Sequence, residues 1–519
     1  MDTPASPAVE AVPARKRGDA TTKQIRGSSL LLVGRLVSLG MNMATQVLVV
    51  RYLSKTDYGS FAYALSIVSI GQTIATFGLD RAITRFVPIY DERGEYGKVF
   101  GTIVMVVGTI SSIGLAMVLL VVGLSDVVGD SLIDDRQAIT LLLIMVALAP
   151  IQAIDSLLTG MFAVFSKPSA IFFRKNVLAP VLRLTVVLLL ILFGAGVGFL
   201  AGGYVVAGAF GVGLYVVFLA RELRAQGFVQ HFHFRTMQMP AREVFAFTIP
   251  LLSSDLLYVV MHVSDTFLLG YFGGRADVGA FRAVWPVAHM NQLVLTSFAL
   301  LFTPLAARLF ARGDRDGIRD LYWTTAIYMA VFSFPIFALT FSMARPVTVA
   351  LFEARYQDSA TYLALLSFGY YFNAALGHNG LTLKVFGRLR YIVTINVLAA
   401  VANIAVALVL IPRYGALGAA IGTCATLVAH NFLKQAGLRL GTGINLFEWR
   451  YLKVYLSITV AAGGLLVAQL AFSLNIGISL ALALLASALV LALNRSSLRV
   501  GDRFPELQRF RLIRLAVGE

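Results

Sequence analysis

About fourteen apolar stretches, each of about 20 residues, divide the chain and are separated by short polar loops. A helix of that length crosses a hydrocarbon core of about 30 Å, and it satisfies its own backbone hydrogen bonds there. Only 13% of the residues are charged, against roughly 25% in a soluble protein. The sequence therefore predicts an all-α polytopic membrane protein. The predicted spans are 27–50, 59–83, 99–124, 138–163, 176–194, 197–220, 245–271, 280–305, 322–344, 360–384, 391–411, 415–434, 452–473 and 476–493.

When the loops are assigned alternately to the two sides of the membrane, most of the 43 Lys and Arg residues fall on one side. An excess of basic residues marks the cytoplasmic loops of membrane proteins, so both termini are predicted to be cytoplasmic. We expect a multi-pass protein of a bacterial or archaeal plasma membrane. The net charge of +16 then faces the anionic cytoplasmic leaflet, and no nucleic-acid partner is expected.

An internal repeat relates the two halves of the chain. Residues 176–202 and 396–422 share 11 identities of 27 without a gap, at an offset of 220. The same offset pairs residues 57–61 with residues 277–281. Each copy holds six spans, an even number, so both copies insert in the same direction. This predicts two parallel six-helix lobes related by a pseudo-two-fold axis, an architecture typical of transporters, with two extra C-terminal helices.

These patterns predict six regions along the chain. They are a disordered cytoplasmic tail (1–26), an N-lobe (27–220), a cytoplasmic linker (221–244), a C-lobe (245–434), the last two spans with their preceding loop (435–493) and a basic cytoplasmic tail (494–519). The chain has no phosphate-binding loop and no loop large enough for a catalytic domain. We therefore expect no enzyme activity, no catalytic residue, no metal site and no cofactor.

Several short motifs carry a family resemblance. The chain reads Arg-Tyr-Leu-Ser-Lys-Thr-Asp-Tyr-Gly-Ser-Phe-Ala over residues 51–62, Phe-Gly-Leu-Asp-Arg-Ala over 77–82 and Arg-Phe-Val over 85–87. In these motifs it resembles the Wzx-like polysaccharide-biosynthesis flippases of the multidrug/oligosaccharidyl-lipid/polysaccharide exporter superfamily. The resemblance implies two lobes around a central cavity. It also implies movement of undecaprenyl-diphosphate-linked oligosaccharides from the cytoplasmic to the external leaflet.

Charged residues inside the spans are the candidate site residues, because a charge costs at least about 2.5–3.5 kcal/mol at the centre of a membrane helix. Arg35, Arg183 and Asp155 lie at one depth in the first copy. Two cations and one anion leave a surplus positive charge, which suits a diphosphate gripped by guanidinium groups. The alternative is a structural Arg–Asp pair beside an arginine that extends to the interface.

The remaining candidates lie at span ends and in span 7. Arg51 and Arg282 lie near external ends, where they are predicted either to bind substrate during release or to anchor the interface. Asp255, His262 and Asp265 lie in span 7. They are predicted to carry a coupling ion, H⁺ or Na⁺, to pair with Arg35, or to have a structural role only. The membrane potential is a third candidate for the driving force.

The predicted function is that of a flippase for surface polysaccharide synthesis, working by alternating access around a basic central cavity. Its predicted partners are the lipid-linked oligosaccharide, membrane lipids, and polymerase and chain-length or export proteins of the same pathway. A multidrug or cation antiporter of the same superfamily is the alternative, which would favour a cavity dominated by carboxylates. A third hypothesis is a membrane glycosyltransferase or polymerase. The internal repeat and the short loops argue against it.

Overall fold

The computed structural model describes residues 37–123, 136–165, 168–225 and 237–498. The described residues contain no strand, and the all-α prediction is confirmed. By length and composition, nine of the described helices could each cross a membrane, or ten if one bent pair counts as a single span. Each of the fourteen predicted spans overlaps a helix of the described residues, the first of them from residue 37 onward. The tail 1–26 and residues 499–519 lie outside the described residues.

The helices follow one another as numbered here. The first ten are α1 (37–52), α2 (Lys55–Thr76), α3 (Leu79–Glu92), α4 (Tyr96–Gly123), α5 (Arg136–Met145), α6 (Leu148–Val164), α7 (Pro168–Phe172), α8 (Ala179–Leu192), α9 (Val197–Ala225) and α10 (Ala241–Phe272). The next ten are α11 (Arg275–His289), α12 (Leu293–Ala311), α13 (Arg315–Phe337), α14 (Ala344–Phe352), α15 (Ser359–Ala375), α16 (Asn379–Val385), α17 (Leu389–Thr442), α18 (Leu452–Phe472), α19 (Ile476–Leu493) and α20 (Arg495–Leu498).

The chain divides into two compact units. Among the described residues, the first unit comprises those up to Gln46 and those within Gly71–Leu120 and Ile144–Leu251. The second comprises the described residues within Val47–Ile70 and Val121–Leu143 and those from Leu252 onward. The N-lobe and C-lobe boundaries remain a prediction.

The core of the first unit forms around α3, which packs against α6. Its buried residues recur at helical spacing, which gives α3 one apolar face. These residues are Leu79, Ala82, Ile83, Val87 and Tyr90. The hydroxyl of Tyr90 donates a hydrogen bond to Glu243 at 2.7 Å and so ties α3 to the start of α10.

A π-helical turn, Phe173–Leu178, joins α7 to α8 in the first unit. Pro180 lies two residues after its end, and the ring nitrogen of this proline cannot donate to the carbonyl of Asn176 four residues earlier. Proline and π-turns are recognised causes of local helix distortion. The wider turn changes the rotation between the residues before it and those after it.

In the second unit, the two copies of the repeat meet where α2 and α11 begin. A β-carbon on Gly59 would overlap the carbonyl oxygen of Arg275, and a β-carbon on Gly279 would overlap that of Lys55. The two contacts are equivalent, because Arg275 lies four residues before Gly279 and Lys55 lies four residues before Gly59. This reciprocity is what a pseudo-two-fold axis between residues 57–61 and 277–281 requires, and only glycine permits so close an approach.

The second unit also contains α17, which holds two of the predicted spans. Gly415 interrupts it with φ 53° and ψ −131°, a backbone conformation outside the helical region. Glycine adopts positive φ without a side-chain clash, so one residue separates the two spans.

Candidate functional site

A cavity of about 80 Å³ lies within the first unit, among α6, α8, α9 and the π-turn. That volume holds several water-sized groups. Its polar lining comes from Gln152, Asp155, Arg174, Arg183 and Tyr204. The other lining residues are apolar or glycine, so the charged groups converge in surroundings of low polarity.

Asp155 and Arg174 form the ion pair of this cavity. An oxygen of Asp155 lies 2.7 Å from Nη2 of Arg174, and the two side chains are 22% and 8% exposed. Nε of Arg174 is buried and has no hydrogen-bond partner among the described residues. A buried guanidinium donor without an acceptor is costly, which makes this nitrogen a candidate for contact with water or an anionic ligand.

Arg183 lines the same cavity from α8 and is exposed. The structure therefore brings together Asp155 and Arg183, two of the three residues that the sequence analysis placed at one depth. Arg35, the third, lies outside the described residues. Arg174 and Arg183 supply two positive charges against the one negative charge of Asp155, so the cavity has a surplus cation.

Arg174 is the site residue that the sequence analysis missed. The sequence predicts a loop position for Arg174, because residues 164–175 lie between the predicted spans 138–163 and 176–194. In an uninterrupted α-helix, nine residues place Arg174 about half a turn away from Arg183. The π-turn between them changes that rotation, and Pro180 is the only sequence signal for it.

A second polar cluster lies within the second unit. Asp265 on α10 is 4% exposed, and its Oδ2 accepts a hydrogen bond of 2.6 Å from the hydroxyl of Thr423. Its Oδ1 is buried and accepts no hydrogen bond within the described chain. Ser264 donates to Oδ1 of the buried Asn403 at 3.1 Å. Carboxylate, amide and hydroxyl oxygens thus lie close together in a buried position.

The repeat connects the two clusters. At the offset of 220, Arg183 of the first copy corresponds to Asn403 of the second. The first copy places a permanent cation at this position, whereas the second places a neutral amide near a buried carboxylate. The same helix position is thus charged in the first copy and neutral in the second.

Arg51 is held by backbone carbonyls in the second unit. Its guanidinium donates to the carbonyls of Ala350 and, at 2.8 Å, Leu351, close to the end of α14. Arg355 does the reverse near the end of α1, donating to the carbonyls of Arg51, Val50 (3.0 Å) and Leu53 (3.1 Å). A cation near a helix C-terminus satisfies carbonyls that have no partner in the helix. The interaction observed for Arg51 is thus a helix cap.

The other predicted residues lie on α10 and α11. Arg282 is half-buried, with its guanidinium 5.0 Å from the ring centre of Trp285. Asp255 is half-buried on α10. The side chain of His262 lies outside the described part of the structure. Substrate binding and ion coupling by these residues remain predictions.

Comparison with known families and proteins gives matches along most of the chain. The sequence model of a family described as "Polysaccharide biosynthesis protein" matches residues 25–310, and that of the MatE family matches residues 250–409. The chain is 22% identical over 414 residues to the uncharacterized membrane protein MJ1068 of Methanocaldococcus jannaschii, covering 77% of this chain and 81% of that protein. It is 24% identical over 138 residues to stage V sporulation protein B of Bacillus subtilis, covering 27% of each. That last match spans about a quarter of the sporulation protein's length.

Solved structures resemble the fold as a whole. The lipid II flippase MurJ in an inward closed conformation matches with a TM-score of 0.70 and 13% identity, covering 91% of this chain and 99% of that one. An inward-facing multidrug resistance MATE transporter of the MOP superfamily matches with a TM-score of 0.64 and 13% identity, covering 78% of this chain and 94% of that one. At these identities the likeness establishes the fold.

Proposed function

The chain belongs to the polysaccharide biosynthesis protein family, whose sequence model covers more than half of it, and from that membership we propose a lipid flippase. The proposed substrate is an undecaprenyl-diphosphate-linked oligosaccharide, moved from the cytoplasmic to the external leaflet for surface polysaccharide synthesis. Of the two solved structures named above, one is a lipid II flippase and the other is a multidrug resistance transporter.

The surplus positive charge of the first-unit cavity carries this proposal. Two guanidinium groups facing one carboxylate leave a net charge that a diphosphate would neutralise. Guanidinium binds phosphate oxygens with two parallel hydrogen bonds, and the unpartnered Nε of Arg174 is one donor for such a contact. The cavity accommodates a phosphate group rather than a whole oligosaccharide, so its role is to hold the head group next to the sugar.

The test is the lipid-linked sugar pool of cells that lack the protein. We expect a diphospholipid oligosaccharide to accumulate in the cytoplasmic leaflet, and the wild-type gene to restore its normal level. Leaflet distribution is measured by the accessibility of the sugar to an external glycosidase or lectin. An unchanged lipid pool together with altered resistance to drugs or cations would contradict the flippase and favour an antiporter.

The antiporter is the second candidate function because the MatE model matches residues 250–409 and MATE transporters share the fold. A cationic drug would need a carboxylate in its binding cavity. The described cavity of the first unit instead has its one carboxylate paired with arginine, which is unfavourable for a cationic substrate.

The Asp265 cluster supports coupling of transport to H⁺ or Na⁺. Ionisable groups buried within membrane proteins commonly mark ion pathways. Asp265 would hold the cation through Oδ1, with Asn403 and the hydroxyl of Thr423 next to it. In the first copy, Arg183 occupies the position equivalent to Asn403. Its positive charge would make cation binding in the first copy unfavourable.

Asp265→Asn should remove the dependence of flipping on an imposed Na⁺ or pH gradient, because it removes the only charge of this cluster. Thr423→Val, which deletes the hydrogen bond to Oδ2, should weaken the cation dependence about tenfold, whereas Thr423→Ser retains the hydroxyl and should resemble the wild type. Transport in proteoliposomes under each gradient provides the measurement. A gradient response that survives in Asp265→Asn would exclude this cluster as the coupling site.

Alternating access would require the contact between α2 and α11 to separate. This contact lies within the second unit, as do the helix caps formed by Arg51 and Arg355. Both lie at helix ends that the distribution of basic residues assigns to the external side of the membrane. We infer that they act as an external gate, closed in this structure, which opens to release the head group.

A further inference from the structure

A second pocket, with a volume of about 420 Å³, lies between α12 and α13 in the second unit. This size is within the range of small-molecule sites, which are commonly about 300–1,000 Å³. Its wall is mostly apolar and includes Phe298, Phe302 and Leu305. Asp320 and Gly317 form its polar end, close to the loop between the two helices.

The length of the pocket matches one leaflet of a bilayer. On α12 it extends from Phe298 to Leu309, and on α13 from Gly317 to Tyr328, which is about 16 Å on each helix at 1.5 Å per residue. Half of a hydrocarbon core of about 30 Å is about 15 Å. The polar end lies at the side that the loop arginines assign to the cytoplasm. A single acyl chain of that leaflet would therefore fit the pocket along its length.

The acidic groups at the polar end all have partners. Asp320 pairs with Arg450 at 2.7 Å and Asp316 with Arg319 at 3.0 Å. Asp314 caps α13 by accepting a hydrogen bond of 2.7 Å from the backbone nitrogen of Gly317. The carboxylates therefore contribute little free negative charge at this end.

Three nearby arginines, in contrast, have no acidic partner within the described residues. Arg308 lies on α12 three residues after Leu305, and Arg312 follows the end of that helix, three residues after Leu309. Arg315 begins α13 two residues before Gly317. All three are exposed. Basic residues at the cytoplasmic interface each attract an anionic lipid by about 1 kcal/mol.

We propose that this pocket binds one anionic glycerophospholipid of the cytoplasmic leaflet. One acyl chain lies between α12 and α13, and the phosphate lies among Arg308, Arg312 and Arg315. The lipid is a resident one, distinct from the transported lipid, whose isoprenoid chain is longer than a single leaflet. The proposal does not depend on the flippase activity.

The C-terminal segment is the competing occupant. The hydroxyl of Tyr328, a residue of the pocket wall, donates to the carbonyl of Leu498, after which residues 499–519 follow. That segment carries five arginines and three acidic residues. Its net positive charge makes it a poor match for an end of the pocket that already has surplus cations.

Native mass spectrometry of the purified protein tests the proposal. We expect the wild type to retain one phosphatidylglycerol but no phosphatidylcholine when the two are supplied in equal amounts. The double variant Arg312→Gln/Arg315→Gln should reduce retention by about tenfold or more, because it removes two of the three cations. Thr324→Phe places a ring in the pocket and should abolish retention.

Matched controls keep each result interpretable. Arg390→Gln removes an exposed arginine at the start of α17, and Thr459→Phe adds the same ring on an exposed face of α18, so both should bind as the wild type does. Equal retention of phosphatidylcholine, or unchanged retention in both pocket variants, would overturn the proposal.

Cysteine labelling separates the lipid from the C-terminal segment. Cys424 is the only cysteine, so Leu305→Cys in a Cys424→Ser background reports on the pocket alone. We expect delipidation to increase its labelling by a maleimide, and deletion of residues 499–519 to leave it unchanged. Labelling that rises on the deletion and does not respond to delipidation would assign the pocket to the C-terminal segment instead.

Discussion

Replacing Arg183 by alanine should slow flipping of a diphosphate-linked oligosaccharide about a hundredfold. Arg183 supplies the surplus positive charge of the first-unit cavity, since Arg174 is paired with Asp155. Removing a charged contact of this kind commonly costs a few kcal/mol, and about 2.7 kcal/mol corresponds to a hundredfold change. Because Arg183 has no acidic partner within the described chain, the change leaves no buried carboxylate unpaired, and folding should be preserved.

The rate is measured in proteoliposomes with a fluorescent undecaprenyl-diphosphate oligosaccharide, quenched from outside as it changes leaflet. Lys175→Ala is the matched control, because Lys175 is an exposed cation that follows Arg174 directly and does not line the cavity. Arg183→Lys keeps the positive charge but cannot form the bidentate hydrogen bonds of a guanidinium group to phosphate, so we expect partial activity. Arg35→Ala belongs in the same series. Equal rates for Arg183→Ala and the wild type would remove the cavity from the transport route.

Placing a methyl group on Gly59 should block closure of the proposed external gate. The added β-carbon would overlap the carbonyl oxygen of Arg275, and a backbone atom in a helix cannot move aside as a flexible side chain can. Overpacking of this kind costs about 1–3 kcal/mol. We therefore expect Gly59→Ala to shift the protein away from the closed arrangement and to reduce flipping about tenfold. Gly279→Ala, which meets the carbonyl of Lys55, should have the same effect.

Labelling of a buried position distinguishes gate opening from general destabilisation. Leu53 is 4% exposed beside the arginine caps. In a Cys424→Ser background, Leu53→Cys should become accessible to an impermeant maleimide when Gly59→Ala is added. The control is Gly464→Ala, where an added β-carbon meets no atom within 4 Å and should stabilise the helix slightly. Unchanged labelling of Leu53→Cys, with transport intact, would show that this contact is not a gate.

Hydropathy, charge and the repeat determined much of this protein without a structure. The apolar stretches predicted the all-α class, because only a helix satisfies its own backbone within a single membrane-spanning segment. The loop motifs of residues 51–62 and 77–87 indicated the family to which the chain belongs. The repeat identified residues 57–61 and 277–281 as equivalent segments, and the structure adds that these segments meet at Gly59 and Gly279.

The tertiary structure alone decided which charges meet. Depth in the membrane suggested that Asp155 would pair with an arginine of a span, whereas its partner is Arg174, from a segment assigned to a loop. Arg51 satisfies the carbonyls of α14, about 300 residues away in the chain, and Asp265 finds Thr423 across 158 residues. Hydropathy and residue spacing report how deep a side chain lies and which face of its own helix it occupies. Which charged side chains contact each other also depends on the rotation introduced by the π-turn at Phe173–Leu178 and on which helices pack together. The hydrophobic periodicity of a single segment predicts neither of these.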